Sequence, residues 1–409
     1  MVNPPRIASL AVSSLQTEIP IHSTDPNSER KNIAMMDVRA DPPHTYPVGS
    51  DGMPGGYHSA PTLVPFQFDL FFHKLALLMS HNTLTHFGAH SPLIFEPPLL
   101  EWTIDVLCGS TALEELSFCN ISLPSSIWSE LLYKVHLPKL KRFTINHTWI
   151  ISQSTGVPLS AITQFLQRHT GITSLELSGL DMDDVQFANL NPEGSLLPKL
   201  QNLVAHPHFI QRFFSHHNAS LVYTLLQSIT IGGEYYAPYG YFPQPMAPFN
   251  FTTFNDAFPL IATHPNVTTL TFHLPCDNPH LIDRWITLNL TLGTSSPIVT
   301  LINIKRLVID LCQFTPLEEN TCYLVPRFLN LFPAVESVTF QGIPLSTKSR
   351  LEGQGFRREM EQRCHRVKSY FLEGEEIRNR CPGVVVVTGE HGVSDGLVVA
   401  RGSDEPRGA

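Results

Sequence analysis

Nineteen histidines are the first residues in this 409-residue sequence that could do chemistry. His86 and His90 stand four apart, His206 and His208 two apart, and His216 and His217 are adjacent. Imidazole binds zinc where Cys, His or carboxylate partners complete a tetrahedral set. None of these pairs has such partners at the usual spacing, so structural roles are favoured. Asp181, Asp183 and Asp184 make an acidic turn. Calcium would need more oxygen ligands and a turn glycine, and acids at a helix start are the plainer account. Gly392-Val393-Ser394-Asp395-Gly396 matches the serine nucleophile elbow, which requires a following helix and then an acid and a histidine. Only thirteen residues follow Gly396 and none is His. Neither a phosphate-binding glycine loop nor an H-E-x-x-H pair occurs. The expectation is a non-enzymatic protein, with no catalytic, cofactor or metal residues, whose side chains bind rather than react.

The elements that would position binding residues come from a repeat. Leu113, Leu116 and Phe118 fall in a Leu-x-x-Leu-x-Phe spacing. It returns at Leu140/Phe143/Ile145, Ile172/Leu175/Leu177, Leu200/Leu203/Ala205 and Leu226/Ile229/Ile231, then at Val267/Leu270/Phe272, Ile304/Leu307/Ile309 and Val335/Val338/Phe340. First anchors at 113, 140, 172, 200, 226, 267, 304 and 335 define irregular units of 26–41 residues. Leucine-rich repeats run about 20–29 residues, and longer units leave room for a full helix on each return leg. Ile162, Phe165, Leu166 and His169 trace one face of such a helix, and Gly171 suits its stop. Pro138, Pro198, Pro265 and Pro333 each stand two residues before an anchor, where proline ends a helix and favours extended chain. The fold class expected is α/β: a leucine-rich-repeat-like solenoid with one parallel sheet face and helices on the other.

In strands, alternate side chains point to opposite faces, so the second and third anchors of each unit face the core. The residues between and after them make two outward columns. One reads Ser117, Thr144, Glu176, Val204, Thr230, Thr271, Val308 and Thr339; the other reads Cys119, Asn146, Ser178, His206, Gly232, His273, Asp310 and Gln341. Asn146, Glu176, His206, His273, Asp310 and Gln341 are the candidate partner-binding side chains there. A further candidate surface is the aromatic run after Ile231, with Tyr235, Tyr236, Tyr239, Tyr241 and Phe242 among prolines. Aromatics on a loop of a repeat protein are favoured contact residues.

Bulk composition agrees with a binding scaffold. Charged residues are 15 %, and the net charge of −9 lacks the clustered Lys and Arg of a nucleic-acid surface. Seven cysteines without C-x-x-C suit free thiols in a reducing compartment. No apolar run approaches the ~18 residues of a membrane span, and residues 7–15 make a poor signal peptide. Cytoplasm or nucleus is the expected location, and a monomer the expected state outside any complex. Six Asn-x-Ser/Thr triplets, at Asn120, Asn146, Asn218, Asn250, Asn266 and Asn289, would matter only in a secreted chain. Residues 1–65, rich in proline, read as disordered or irregular, and 66–345 as the solenoid. In 346–409, Phe356, Met360, Cys364, Val367 and Phe371 suggest one long amphipathic helix over 350–380 that caps the solenoid, before a strand at 384–387 and a frayed tail.

LPKLKRF (137–143), FLQRHTGITSLEL (165–177), LPKLQNL (197–203) and RCPGVVVV (380–387) together resemble fungal F-box/leucine-rich-repeat-like proteins. In that family an N-terminal F-box docks on the Skp-type adaptor of cullin-RING ubiquitin ligases, and the repeats select a protein substrate. The box opens with a Leu-Pro-x-Glu-Ile type motif. Leu15-Gln16-Thr17-Glu18-Ile19 looks like that start with Gln in place of Pro, which makes Leu15, Glu18 and Ile19 an adaptor-binding remnant. Residues 20–62 do not continue the box pattern, so the likeness implies a degenerate or truncated F-box.

Overall fold

The computed structural model describes residues 10–11, 34–40, 84–97, 99–146, 157–178, 196–215, 223–232, 251–274, 279–311 and 317–377. Their sheet has thirteen strands whose spatial order is the chain order. The strands are β1 (Leu10–Ala11), β2 (Ala34–Ala40), β3 (Leu84–Ala89), β4 (Glu115–Cys119), β5 (Arg142–Asn146), β6 (Ser174–Ser178) and β7 (Asn202–Ala205). They continue with β8 (Ser228–Ile231), β9 (Thr269–His273), β10 (Arg306–Asp310), β11 (Ser337–Gln341), β12 (Ser369–Leu372) and β13 (Glu375–Glu376). From β2 to β12 every pairing is parallel, and only β1 and β13 run antiparallel to their neighbours. An α/β architecture of one strand per unit is the expected solenoid-like arrangement.

The anchors make the core as their spacing requires. Leu113, Leu116, Phe118 and Ile121 are all at most 1 % exposed, and β4 alternates half-buried and buried along its length. The return legs supply α1 (Leu99–Gly109), α2 (Ser125–Lys134), α3 (Leu159–Arg168), α4 (Pro207–Phe214), α5 (Phe251–Ala262), α6 (Pro279–Leu292) and α7 (Glu319–Leu329). Their aromatic side chains interlock with the anchors. Trp128 of α2 meets Phe118 edge-on at 5.3 Å, Phe165 of α3 lies 4.6 Å from Phe143, and Trp285 of α6 meets Phe272 edge-on at 5.7 Å. Such offset and edge contacts add about 0.5–1.5 kcal/mol each beyond buried area.

A backbone device repeats at the start of each strand. The carbonyls of Glu114, Lys141, Thr173, Gln201, Gln227, Thr268, Lys305 and Glu336 each accept two N–H groups from the next unit. Glu114, for example, receives Lys141 at 2.8 Å and Arg142 at 2.9 Å. Just upstream, a tight turn closes from the first anchor's N–H to the carbonyl three residues earlier, as in Leu140 to Leu137 at 3.1 Å. Pro138, Pro198 and Pro265 occupy the second position of three of these turns, where their fixed φ is preorganised. They shape the turn into the strand rather than ending a helix directly.

Two sequence expectations are corrected. The segment 1–65 contains β1 and β2, and β2 joins the sheet parallel to β3, pairing Met36 with Phe87 and Val38 with Ala89. The long helix over 350–380 is instead α8 (Leu345–Glu352) and α9 (Gln354–Arg363), broken at Gly353, whose ψ of 148° is extended. Beyond Cys364 the chain makes another unit, with Val367, Tyr370 and Leu372 in anchor positions and Tyr370 opposite Val338. Phe356, Met360 and Cys364 are the buried helix-side residues of that unit, while Phe371 sits on the outward column opposite Thr339. The helical spacing continued by coincidence into a strand. A β12–β13 hairpin closes this end through Glu373 (φ 51°) and Gly374 (φ 83°), the left-handed pair of a tight hairpin turn. The runs at 66–83 and 384–387 lie outside the described residues.

The turn position three residues before the first anchor is buried in every unit, and in two units it is histidine. His169 is locked neutral: Leu137 N–H donates to its Nε2 at 2.9 Å, and its Nδ1 lies 2.7 Å from the Phe165 carbonyl, which it serves as donor. His264 sits against Phe214 at 4.1 Å, and neither of its ring nitrogens has a hydrogen-bond partner. Burial holds both pKa values down at about 4. Unfolded histidines take up a proton near 6.5, so between 6.5 and 4 the unfolded chain binds more protons than the native one. Stability is therefore full above pH 6.5 and falls as pH drops toward 4, by on the order of 3 kcal/mol for each group. His264→Phe is expected to flatten this acid limb in urea-unfolding midpoints, with a change of less than about 1.5 kcal/mol at pH 7.5. An unchanged slope would place the titration elsewhere.

Candidate functional site: the polar face of the sheet

Register carries the outward columns across the sheet. Ser117, Thr144, Glu176, Val204, Thr230, Thr271, Val308 and Thr339 are successive Cα partners, extended by Gly88 at one end and Phe371 at the other. The expected column after it is interrupted. Cys119, Asn146 and Ser178 pair in order, and so do His273, Asp310 and Gln341. Between them His206 leaves the sheet to cap α4, accepting at Nδ1 from the His208 N–H at 3.3 Å, and Gly232 lies past the end of β8. Proline at the first position of α4 turns the chain into a helix at once.

A third outward column went unnoticed in the sequence. His86, Glu115, Arg142, Ser174, Asn202, Ser228, Thr269, Arg306, Ser337 and Ser369 are mutual partners at the start of the strands. The signal was parity, since these positions stand two before the middle column. On this edge Arg142 pairs with Glu115 at 3.0 Å, and His86 Nε2 stands 3.5 Å from the same carboxylate. The three columns thus differ in character: Arg142 pairs with Glu115 in the first, Ser, Thr and Val dominate the middle one, and half-buried polar groups stand in the last.

Two polar clusters stand on the expected residues. In one, Asn146 Nδ2 donates to Glu176 Oε1 at 2.6 Å, and Ser178 Oγ approaches the same oxygen at 3.5 Å. Burial raises the Glu176 pKa against these two hydrogen bonds. In the other, Gln341 Nε2 donates to Asp310 Oδ2 at 3.3 Å, and His273 Nε2 stands 3.7 Å from that oxygen. Burial lowers the His273 pKa, opposed by the Asp310 charge. His206 is driven down to about 3 by burial, with His208 adding to the effect. These imidazoles are neutral near pH 7, so they present one donor and one acceptor each. Asn146, Glu176, His273, Asp310 and Gln341 therefore share one face in two groups, with His206 at the strand-end edge between them.

Tyr235, Tyr236, Tyr239, Tyr241 and Phe242 lie outside the described residues, as do Leu15, Glu18 and Ile19, the Asp181–Asp184 turn and Ser394. Among the described residues there is no group of three His, Cys, Asp or Glu side chains that could hold a metal ion. None of their helices is long and apolar enough to cross a membrane. Of the Asn-x-Ser/Thr triplets, Asn289 is fully buried between Trp285 and Ser296, and Asn266 donates to the Thr224 carbonyl at 2.6 Å. Comparison with protein-family models and with curated proteins finds no match for this chain.

The His273–Asp310 proximity has a direct readout. Asp310→Asn removes the neighbouring charge that favours the imidazolium, so the His273 titration followed by NMR is expected to move to still lower pH. An upward shift, or none, would mean the two side chains do not face each other across β9 and β10.

Proposed function

We infer that this chain is a protein-interaction solenoid of the leucine-rich-repeat type, and that its polar sheet face selects a protein ligand. The observation that carries the reading is the unbroken outward register from β3 to β12, which presents one continuous face of small hydroxyls with polar clusters toward one edge. Sheet faces without a ligand are solvated and tolerate long charged side chains. From β3 to β12 the middle column carries one charged residue, Glu176, and between Ser117 and Thr339 its other side chains are Ser, Thr and Val, short enough to let another backbone approach. A catalytic role has no support from a nucleophile, base and acid brought together at this face.

The narrower assignment is the substrate-recognition subunit of a cullin-RING (SCF-type) ubiquitin ligase in cytoplasm or nucleus, supported by the repeat likeness and by Leu15-Gln16-Thr17-Glu18-Ile19. A second reading, a free-standing repeat scaffold without adaptor binding, is favoured by β1 and β2. They flank that motif on both sides and are themselves strands of the sheet, with Leu10 opposite Ala40. The two readings part in a pull-down of the full chain with a Skp-type adaptor. The ligase reading expects capture that is lost on Glu18→Lys with Ile19→Asp. Absence of capture by folded protein leaves the free-standing scaffold.

A further inference from the structure

From β3 to β12 Glu176 is the one carboxylate of the middle column, and its surroundings are unusual for an acid. It sits half-buried on β6 between Thr144 of β5 and Val204 of β7, its direct partners across the sheet. Its hydrogen-bond partners are neutral: Asn146 Nδ2 at 2.6 Å and Ser178 Oγ at 3.5 Å, both on Oε1. Among the described residues no charged side chain acts on it; burial and these two hydrogen bonds are what set its pKa. The basic group two positions along β5, Arg142, is engaged by Glu115 instead, at 3.0 Å.

The second observation lies beside it. Asn146 turns its amide nitrogen to the carboxylate, and the opposite end of the same group, Oδ1, is shielded from water with no hydrogen-bond partner. A buried acceptor without a donor costs about 1–3 kcal/mol, and such groups in native proteins call for an explanation. Glu176 Oε2 and Asn146 Oδ1 are thus two acceptors on neighbouring strands, held together by the Nδ2–Oε1 hydrogen bond and lacking both a cation and a donor.

We propose that Glu176 and Asn146 form the specificity pocket of the sheet face and receive a basic side chain, an arginine in preference to a lysine, from a polypeptide ligand. The guanidinium is planar and offers parallel N–H donors, so it can pair with the two oxygens of the Glu176 carboxylate, which Asn146 Nδ2 holds in place. A lysine ammonium supplies the charge without that fork. The inference rests on the sheet face being the binding surface, and it adds what that surface reads.

The test selects random linear peptides on the full-length chain and on its Glu176→Gln and Thr230→Arg variants. Glu176→Gln keeps the shape and the Asn146 contact region while removing the charge; Thr230→Arg obstructs the middle column two strands away. The expected result is enrichment of arginine at one peptide position, lost in the Glu176→Gln selection. Replacing that arginine by citrulline, or using Glu176→Gln, should weaken the selected peptides about thirtyfold or more. Because burial raises the Glu176 pKa, the arginine preference should also fade as pH drops through the carboxyl's titration. Peptides without a basic position, peptides indifferent to Glu176→Gln, or no enrichment at all would overturn the proposal. If peptides are captured without a basic preference but lost with Thr230→Arg, the binding face stands and the pocket fails. If capture survives Thr230→Arg, the binding face itself is wrong.

Discussion

One carbonyl per unit holds this molecule in register. At the residue after the first anchor the chain offers its C=O to two N–H groups of the following unit, and eight such carbonyls follow one another from Glu114 to Glu336. The arrangement fixes not only that neighbouring strands pair but which residues stand opposite, because a slip of one would put every side chain on the wrong face. A turn closed from the first anchor's N–H to the carbonyl three residues earlier leads the chain into the strand in the units anchored at 113, 140, 172, 200, 226, 267, 304 and 367. Unequal return legs, some barely long enough for a helix and one of 41 residues between first anchors 226 and 267, therefore do not disturb the sheet. Both the buried aromatic stack and the polar face are consequences of this repeated bond.

The same constraint explains where the sequence was legible. Leu116 and Phe118 could be assigned to the core because period-two alternation and the turn leave them one choice, and the register bears out every residue of the middle column. Legibility failed where two periodicities coincide. Cys364, Val367 and Phe371 continue the spacing of α9, yet the helix stops at Arg363 and Val367-x-x-Tyr370-x-Leu372 is another anchor set. The period of three that opens each anchor set is indistinguishable from a helical step when read alone. β2 was overlooked for a different reason: Ile33, Met36 and Val38 do have the anchor spacing, with Met36 and Val38 opposite Phe87 and Ala89, but the set contains no leucine and stands in a proline-rich stretch.

The face itself was half legible. Parity predicts which residues point outward, but not how long the strand continues. His206 was placed in a column, whereas Pro207 bends the chain into α4 and makes that histidine a cap. Nor does parity foretell which outward groups find each other. Asn146 and Glu176 meet diagonally across two strands, while His273, Asp310 and Gln341 meet along one row. The raised pKa of Glu176 and the lowered pKa of His273 follow from burial on a packed sheet, a property of the assembled face rather than of any single unit. Among the described residues histidine is used inside as a neutral bridge between turns at His169 and at the sheet edge as an uncharged polar cap at His206.

The central claim is a single register that runs unbroken through the longest unit. It is tested most directly by disulfide formation between Thr230→Cys on β8 and Thr271→Cys on β9, which are direct partners. Adjacent parallel strands stand about 4.8 Å apart, within disulfide reach. The account predicts that this pair oxidises readily in the folded protein without loss of thermal stability. Thr230→Cys paired with Thr269→Cys or His273→Cys should stay reduced. Preferential bonding of either displaced pair would contradict the register, and with it the face on which the functional reading stands.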